Sequence, residues 1–228
     1  LQGDSGEKLG REIAQFHCEL AAQALAGQSP QRLETAAREI GAARLADAEH
    51  PRPRLLQGEL ALAEGEPQAA IDAWRPVLER KPAFAALIAR SWLDAHQQIG
   101  RLDDGMAALE AAHRQHPGVD TLSALADALT SSKGAEPALA WADEQLRSQP
   151  SLLGLEKLLG LRKAAAGGRA DPERDLTQQL IAPQARRLSR YVCTHCGFKA
   201  RQFYWQCPGC SRWDTYAPKR GEELEAGR

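Results

Sequence analysis

Three prolines frame this chain. Pro82, Pro117 and Pro150 each close a stretch of helical patterning, at intervals of 35 and 33 residues. Proline has no amide proton and stops a helix. If Pro82 is set at position 32 of a repeating unit, Gly58 falls at 8, Gly65 at 15, Ala70 at 20 and Trp74 at 24. Small residues at 8 and 20 let two helix backbones approach, and a large apolar residue at 24 fills the groove beside them. Gly65 stands where a helix ends with positive φ, and Pro67 opens the next helix at a first-turn position.

The following unit repeats the pattern with Trp92, Gly100, Leu109, Ala112 and Pro117, although Gly105 replaces the small alanine. Its turn reads as Ile99 to Asp104. A third unit supplies Leu122, Ala126, Ala138, Ala142 and Pro150, with Ser131 to Gly134 as its turn. A more degenerate pair is expected near 7–26 and 30–48. Further helices are expected from Leu152 to Ala166 and from Asp175 to Leu188. The period is that of a tetratricopeptide-like helix pair, whose neighbours stack because no pair buries its apolar face alone. The rival reading, an irregular alanine-rich bundle, leaves the shared small, turn and proline positions unexplained. Aromatics make up 5% of the chain while apolar residues make up 43%, a balance that also favours helices over a β core.

A second pattern stands near the C-terminus. Cys193 and Cys196 form one Cys-x-x-Cys pair, and Cys207 and Cys210 form another after ten intervening residues. Each pair closes a tight knuckle presenting two thiolates, and two knuckles complete a tetrahedron of four sulfurs. Gly197 suits the reversal after Cys196. Short strands are expected within 199–206 and 213–216, around a metal that substitutes for a core too small to form alone. Two disulfides would need an oxidising compartment, which the absence of a secretory signal and the odd Cys18 disfavour. A dithiol redox pair would need one motif beside a βαβ unit. Four thiolates leave no open coordination position, so the expected site is structural or sensing. Zinc and iron both suit it. His195 reads as an exposed loop residue and Cys18 as a small core residue.

Charge is divided along the chain. Residues 184–220 hold eight basic side chains against Asp214, whereas residues 1–183 hold 26 acidic and 20 basic ones. The basic stretch is open to nucleic acid, to anionic lipid head groups, or to docking on the chain's own acidic helices. No stretch approaches the roughly 18 apolar residues of a membrane span, so these residues are expected to be soluble as they stand. The chain opens on Leu1, and a targeting or anchoring segment is expected to be missing ahead of it. The six histidines are scattered and no nucleophile or phosphate-loop motif occurs. An enzyme is therefore not expected.

Tyr191-Val-Cys193-x-x-Cys196-Gly197-Phe198, then Tyr204-Trp205-x-Cys207-Pro208-x-Cys210 and Trp213, following tetratricopeptide-like helices, closely resembles the C-terminal part of the lipopolysaccharide assembly protein B family (LapB, also called YciM) of Gram-negative bacteria. The expected fold is an all-α tetratricopeptide-like superhelix over residues 1–188, a small C-terminal rubredoxin-like or zinc-ribbon β module over 189–220, and a flexible tail over 221–228. The resemblance implies that Cys193, Cys196, Cys207 and Cys210 ligate one iron or zinc ion. It implies a non-enzymatic adaptor at the cytoplasmic face of the inner membrane, held there by the missing N-terminal anchor. The adaptor would promote degradation of LpxC by the protease FtsH and gather other lipopolysaccharide assembly components, with homo-oligomerisation left open. A nucleic-acid-binding zinc ribbon on a helical platform, motivated by the basic C-terminus, is the alternative.

Overall fold

A computed structural model describes residues 2–169 and 171–225. Among these, eleven α-helices precede or follow one two-stranded antiparallel sheet. The helices are α1 (Gln2–Ala26), α2 (Arg32–Ala46), α3 (Pro51–Ala63), α4 (Pro67–Arg80), α5 (Ala85–Gln98), α6 (Leu102–Gln115), α7 (Val119–Lys133), α8 (Ala135–Ser148), α9 (Leu152–Ala165), α10 (Pro172–Leu188) and α11 (Gly221–Glu225). The strands are β1 (Tyr191–Val192) and β2 (Lys199–Ala200). Helices α3, α5, α7 and α9 begin 34, 34 and 33 residues apart, so the proline period is the period of the helices themselves. The chain forms two compact units: one runs to Phe84 and takes in Arg90–Gly105, and the other combines Ala85–Ala89 with the chain from Met106 on.

In the first unit α1 packs on α2 and α3 on α4. Ala14, Cys18, Ala21, Ala36, Ile40, Ala43, Leu56 and Leu60 form one buried cluster, with Cys18 among small side chains as expected. Gly58 lies directly under a large side chain. A Cβ there would lie 2.1 Å from the Trp74 indole, so Gly58 makes room for the aromatic ring. The ring is fully buried and its Nε1 donates to the Leu55 carbonyl at 3.0 Å. The polar edge of a large apolar group thus keeps a partner on burial. After α3, Gly65 sits at φ +80°. Its N–H bonds Leu62 O at 3.1 Å and the next N–H bonds Ala61 O at 2.8 Å, a glycine-ended helix cap.

The boundaries shift where side chains satisfy the backbone. Ser131, Ser132 and Lys133 are helical rather than a turn, and the Ser131 and Ser132 hydroxyls donate to the carbonyls four residues back. Only Gly134, at φ +94°, makes the turn to α8. Likewise Leu102, Asp103 and Asp104 belong to the first turn of α6, where the acids oppose the positive helix end. Helix α10 starts at Pro172, ahead of the predicted Asp175. Asp171 caps it by accepting the Arg174 N–H at 3.2 Å, and a first-position proline costs no hydrogen bond.

In the second unit α7 packs on α8, α8 on α9, and α9 on α10. Ala126, Ala138, Ala142, Leu158 and Leu161 form its buried helical cluster.

Candidate metal centre

Antiparallel pairing of Tyr191 with Ala200 and of Val192 with Lys199 fixes the entry and exit of the first knuckle. Cys193 N–H donates to Phe198 O at 2.9 Å and Gly197 N–H donates back to Cys193 O at 2.9 Å, with Gly197 at φ +74°. The second knuckle copies this arrangement. Cys207 N–H donates to Arg212 O and Ser211 N–H to Cys207 O, both at 2.8 Å. Ser211 adopts φ +58° where the first knuckle has glycine, a left-handed position that few non-glycine residues occupy.

These two reversals bring together the four cysteines that the spacing singled out. All four Sγ atoms lie within 4.8 Å of one another. Cys193 and Cys210 sulfurs are 3.9 Å apart, and those of Cys196 and Cys207 are 3.7 Å apart. A regular tetrahedron with metal–sulfur bonds of roughly 2.3 Å has edges of about 3.8 Å, so the donor set fits one tetrathiolate ion. The separations are far beyond a disulfide bond of about 2.05 Å, and the cysteines are free thiols. His195 is exposed and stands outside the cluster.

Electrostatics divides the four sulfurs into two kinds. Burial raises the Cys193 thiol, but hydrogen bonds from Thr215 and from the backbone N–H groups of Cys196 and His195 outweigh it and bring it down to about 6. Cys207 is also lowered: burial opposes ionisation, and the N–H groups of Cys210 and Gly209 favour it more strongly. Cys196 receives a favourable N–H from Phe198, yet desolvation and the adjacent sulfurs of Cys193, Cys207 and Cys210 push it up to about 12. The backbone therefore favours two thiolates, and sulfur crowding opposes the other two. A cation at the centre removes that opposition.

The aromatic residues do not build the strand ladders expected of them. Beyond β1 and β2, the described ribbon has only the isolated bridges Cys193–Tyr216 and Gln206–Trp213. Instead Tyr191, Ala200 and Tyr216 are buried with Cys193 and Cys207, and Phe203 and Tyr204 pack against them. Tyr216 hydroxyl donates to Phe198 O at 3.2 Å and lies 3.9 Å from Cys207 Sγ. One wall of the sulfur cluster is thus a small aromatic core.

Apart from the Tyr191 hydroxyl, 3.5 Å from Asp120 Oδ2, the docking contacts described for the ribbon on the helices of its own unit come from a segment with no motif to mark it. Arg220 donates through Nε and Nη2 to both carboxylate oxygens of Asp120 on α7, at 2.8 and 2.7 Å. Its guanidinium lies 4.2 Å from the Tyr191 ring centroid, and Nη1 donates to Ser189 O at 2.8 Å. Beside it, Glu223 accepts the Val119 N–H at 2.9 Å at the start of α7. Glu222 accepts the Leu153 N–H at 3.0 Å and the Leu152 N–H at the start of α9. Two carboxylates therefore satisfy the exposed N–H groups and positive ends of two helices. The tail expected to be flexible over 221–228 begins with this helical turn, α11, and residues 226–228 lie outside the described residues. The signal available in the sequence was the change from Lys219-Arg220 to Glu222-Glu223, but nothing local identifies the helix ends they meet.

Residues 191–218 match a family described as "Rubredoxin metal binding domain". Over 220 residues the chain is 30% identical to "Lipopolysaccharide assembly protein B" of Escherichia coli (strain K12), covering 94% of this chain and 56% of that protein. The protein of the same name from Haemophilus influenzae is 26% identical over 173 residues, covering 75% of this chain and 44% of that protein. These proteins are homologues of the chain, which spans about half their length.

Proposed function

We propose that this chain, a homologue of proteins named lipopolysaccharide assembly protein B, is a non-enzymatic adaptor part in the regulation of lipopolysaccharide synthesis. The observation that carries the reading is the docked ribbon, with four sulfurs arranged for one ion and no position left for substrate, held to α7 and α9 by Arg220, Glu222 and Glu223. Cys193, Cys196, Cys207 and Cys210 hold an iron or zinc ion, which supplies structural cross-linking when bound. This clasp shapes the ribbon so that residues 219–223 meet the helix ends.

Between α7 and α9 a groove of about 560 Å³ is lined by Ser123, Asp127, Glu156 and Leu161, with Arg220 and Ser189 at its ribbon side. It offers a client a surface made of both modules. In the full-length protein the client is LpxC and the protease FtsH, at the cytoplasmic face of the inner membrane, and other assembly components gather there. The homologues' names, which describe assembly and no reaction, support an adaptor. Among the described residues no helix is long and apolar enough to cross a membrane.

The test is a pull-down and turnover assay in cells carrying the full-length protein. Cys193→Ser with Cys196→Ser, and separately Asp120→Ala, should lower LpxC and FtsH capture and lengthen LpxC lifetime. Unchanged capture and turnover in both variants would remove the reading.

A further inference from the structure

Docking of the tail sorts the ribbon's charges. Arg220 is turned onto Asp120, while Glu222 and Glu223 are turned onto helix N-termini. Arg190, Lys199, Arg201 and Arg212 remain exposed on the ribbon, and Arg186 and Arg187 remain exposed in the last turn of α10. Against these stand Asp214 and the net −2 of four thiolates on a divalent ion, leaving about one positive charge on the ribbon itself and about three with the end of α10 included. The cations are not scattered at random around the ribbon. Arg190 directly precedes β1 and Arg201 directly follows β2, so antiparallel pairing puts both at one end of the hairpin. Lys199 lies on β2 itself. At its other end Phe198 is 43% exposed, and its ring lies against Gly209 of the second knuckle.

A hairpin with an exposed phenyl ring at one end and cations at the other has two obvious uses, base stacking and insertion into a lipid interface. Stacking platforms need several open rings. Here Phe203 packs edge-on against Tyr191 and Trp205, at 5.7 and 5.0 Å between centroids, and Tyr204 lies 6.2 Å from Tyr216. Those rings are engaged within the ribbon, and Phe198 is its exposed large hydrophobic side chain. One exposed apolar side chain and several exposed cations on the same hairpin match the two-part requirement for reversible attachment to an anionic bilayer.

We propose that the Arg190–Lys199–Arg201 hairpin face, with Phe198 at the hairpin's other end and Arg212 exposed on the second knuckle, docks on an anionic lipid surface. This contact does not depend on the adaptor reading, because chain and bilayer alone suffice for it.

Flotation of the metal-loaded 228-residue chain with vesicles tests it. Vesicles with about one third phosphatidylglycerol should carry the chain at low salt, pure phosphatidylcholine vesicles should not, and binding should fall as chloride rises. Lys199→Ala, Arg201→Ala and Arg212→Ala combined should weaken binding about a hundredfold, at roughly fivefold per cation. Phe198→Ala should weaken it about threefold, since under half of the ring is available. Lys8→Ala, Arg38→Ala and Arg44→Ala combined should leave it unchanged. Stoichiometric metal and an unchanged circular dichroism spectrum confirm that each variant is folded. The proposal is overturned by absence of flotation with anionic vesicles, by equal flotation with phosphatidylcholine, or by insensitivity to the ribbon triple change. Release by inorganic phosphate beyond that of chloride at equal ionic strength would reveal a soluble-anion site and overturn it as well. So would a preference for a single-stranded oligonucleotide over the vesicles.

Discussion

The α3–α4 hairpin and the metal ribbon solve the same problem, excluding water from a small amount of backbone, with opposite resources. In the hairpin the work is spread over many aliphatic contacts and one close fit, Gly58 under the buried Trp74 ring. In the ribbon a few aromatic rings and four sulfurs do all of it, and regular pairing is limited to two residue pairs. Distributed packing degrades locally, because each removed contact leaves its neighbours in place. A single cross-link fails as a whole, because every loop in the ribbon leads to it.

The sharpest way to break that contrast is to remove the metal. Strong chelation, or Cys193→Ser with Cys196→Ser, should cost the ribbon on the order of 10 kcal/mol of folding energy. The amide signals of residues 191–218 should collapse to unfolded positions, while the helical circular dichroism signal falls only slightly. A ribbon that stays dispersed without metal would show that its aromatic core suffices.

On the helical side, Gly58→Ala forces a methyl to 2.1 Å from the indole and should destabilise the first unit by about 3 kcal/mol in urea unfolding. Trp74→Leu added to it should recover part of that loss, since the clash disappears. Equal destabilisation in the single and double variants would locate the cost elsewhere.

The Arg220–Asp120 pair tests the seam between the ribbon and α7. Both side chains are part-exposed, at 21% and 25%, so a double-mutant cycle with alanine should give a coupling of about 1–2 kcal/mol in thermal unfolding of the second unit. Coupling near zero would make the contact incidental to docking.

Acidification should produce the smallest effect. Burial holds the His113 pKa below the ordinary histidine value, with Glu110 opposing the shift, and its Nδ1 lies 2.6 Å from Thr121 Oγ1. The unfolded chain therefore takes up this proton first, so stability present above the unfolded value near 6.5 is lost as pH falls through it. His113→Gln should flatten the thermal midpoint between about pH 7.5 and 5.5, by an amount worth less than about 1 kcal/mol. A slope unchanged by the substitution would assign the loss to other groups.

Legibility followed the range of the interaction. Gly65, Gly100 and Gly134 could be read because a helix end demanding positive φ is a property of one position. The sulfur cluster could be read because a two-residue gap confines each pair of thiolates to one ion. Ser211 could not, since serine carries no left-handed preference and takes φ +58° here only because its knuckle mirrors the first. The close fit of the Trp74 ring over Gly58 could not be read, because position in a repeat fixes which residues are small and not how a large neighbour's ring lies across them.

The amino-acid order by itself determined the helical period and the grouping of the four cysteines, both set by covalent spacing and local backbone geometry. Tertiary structure alone decided what the basic and acidic residues after the ribbon do. Arg220 finds Asp120 across 100 residues, Glu223 finds Val119 across 104, and Glu222 finds Leu152 across 70. A charge in sequence has no preferred partner. It acquires one when folding brings an unsatisfied N–H group or an opposite charge to its side and removes the water that would otherwise serve both.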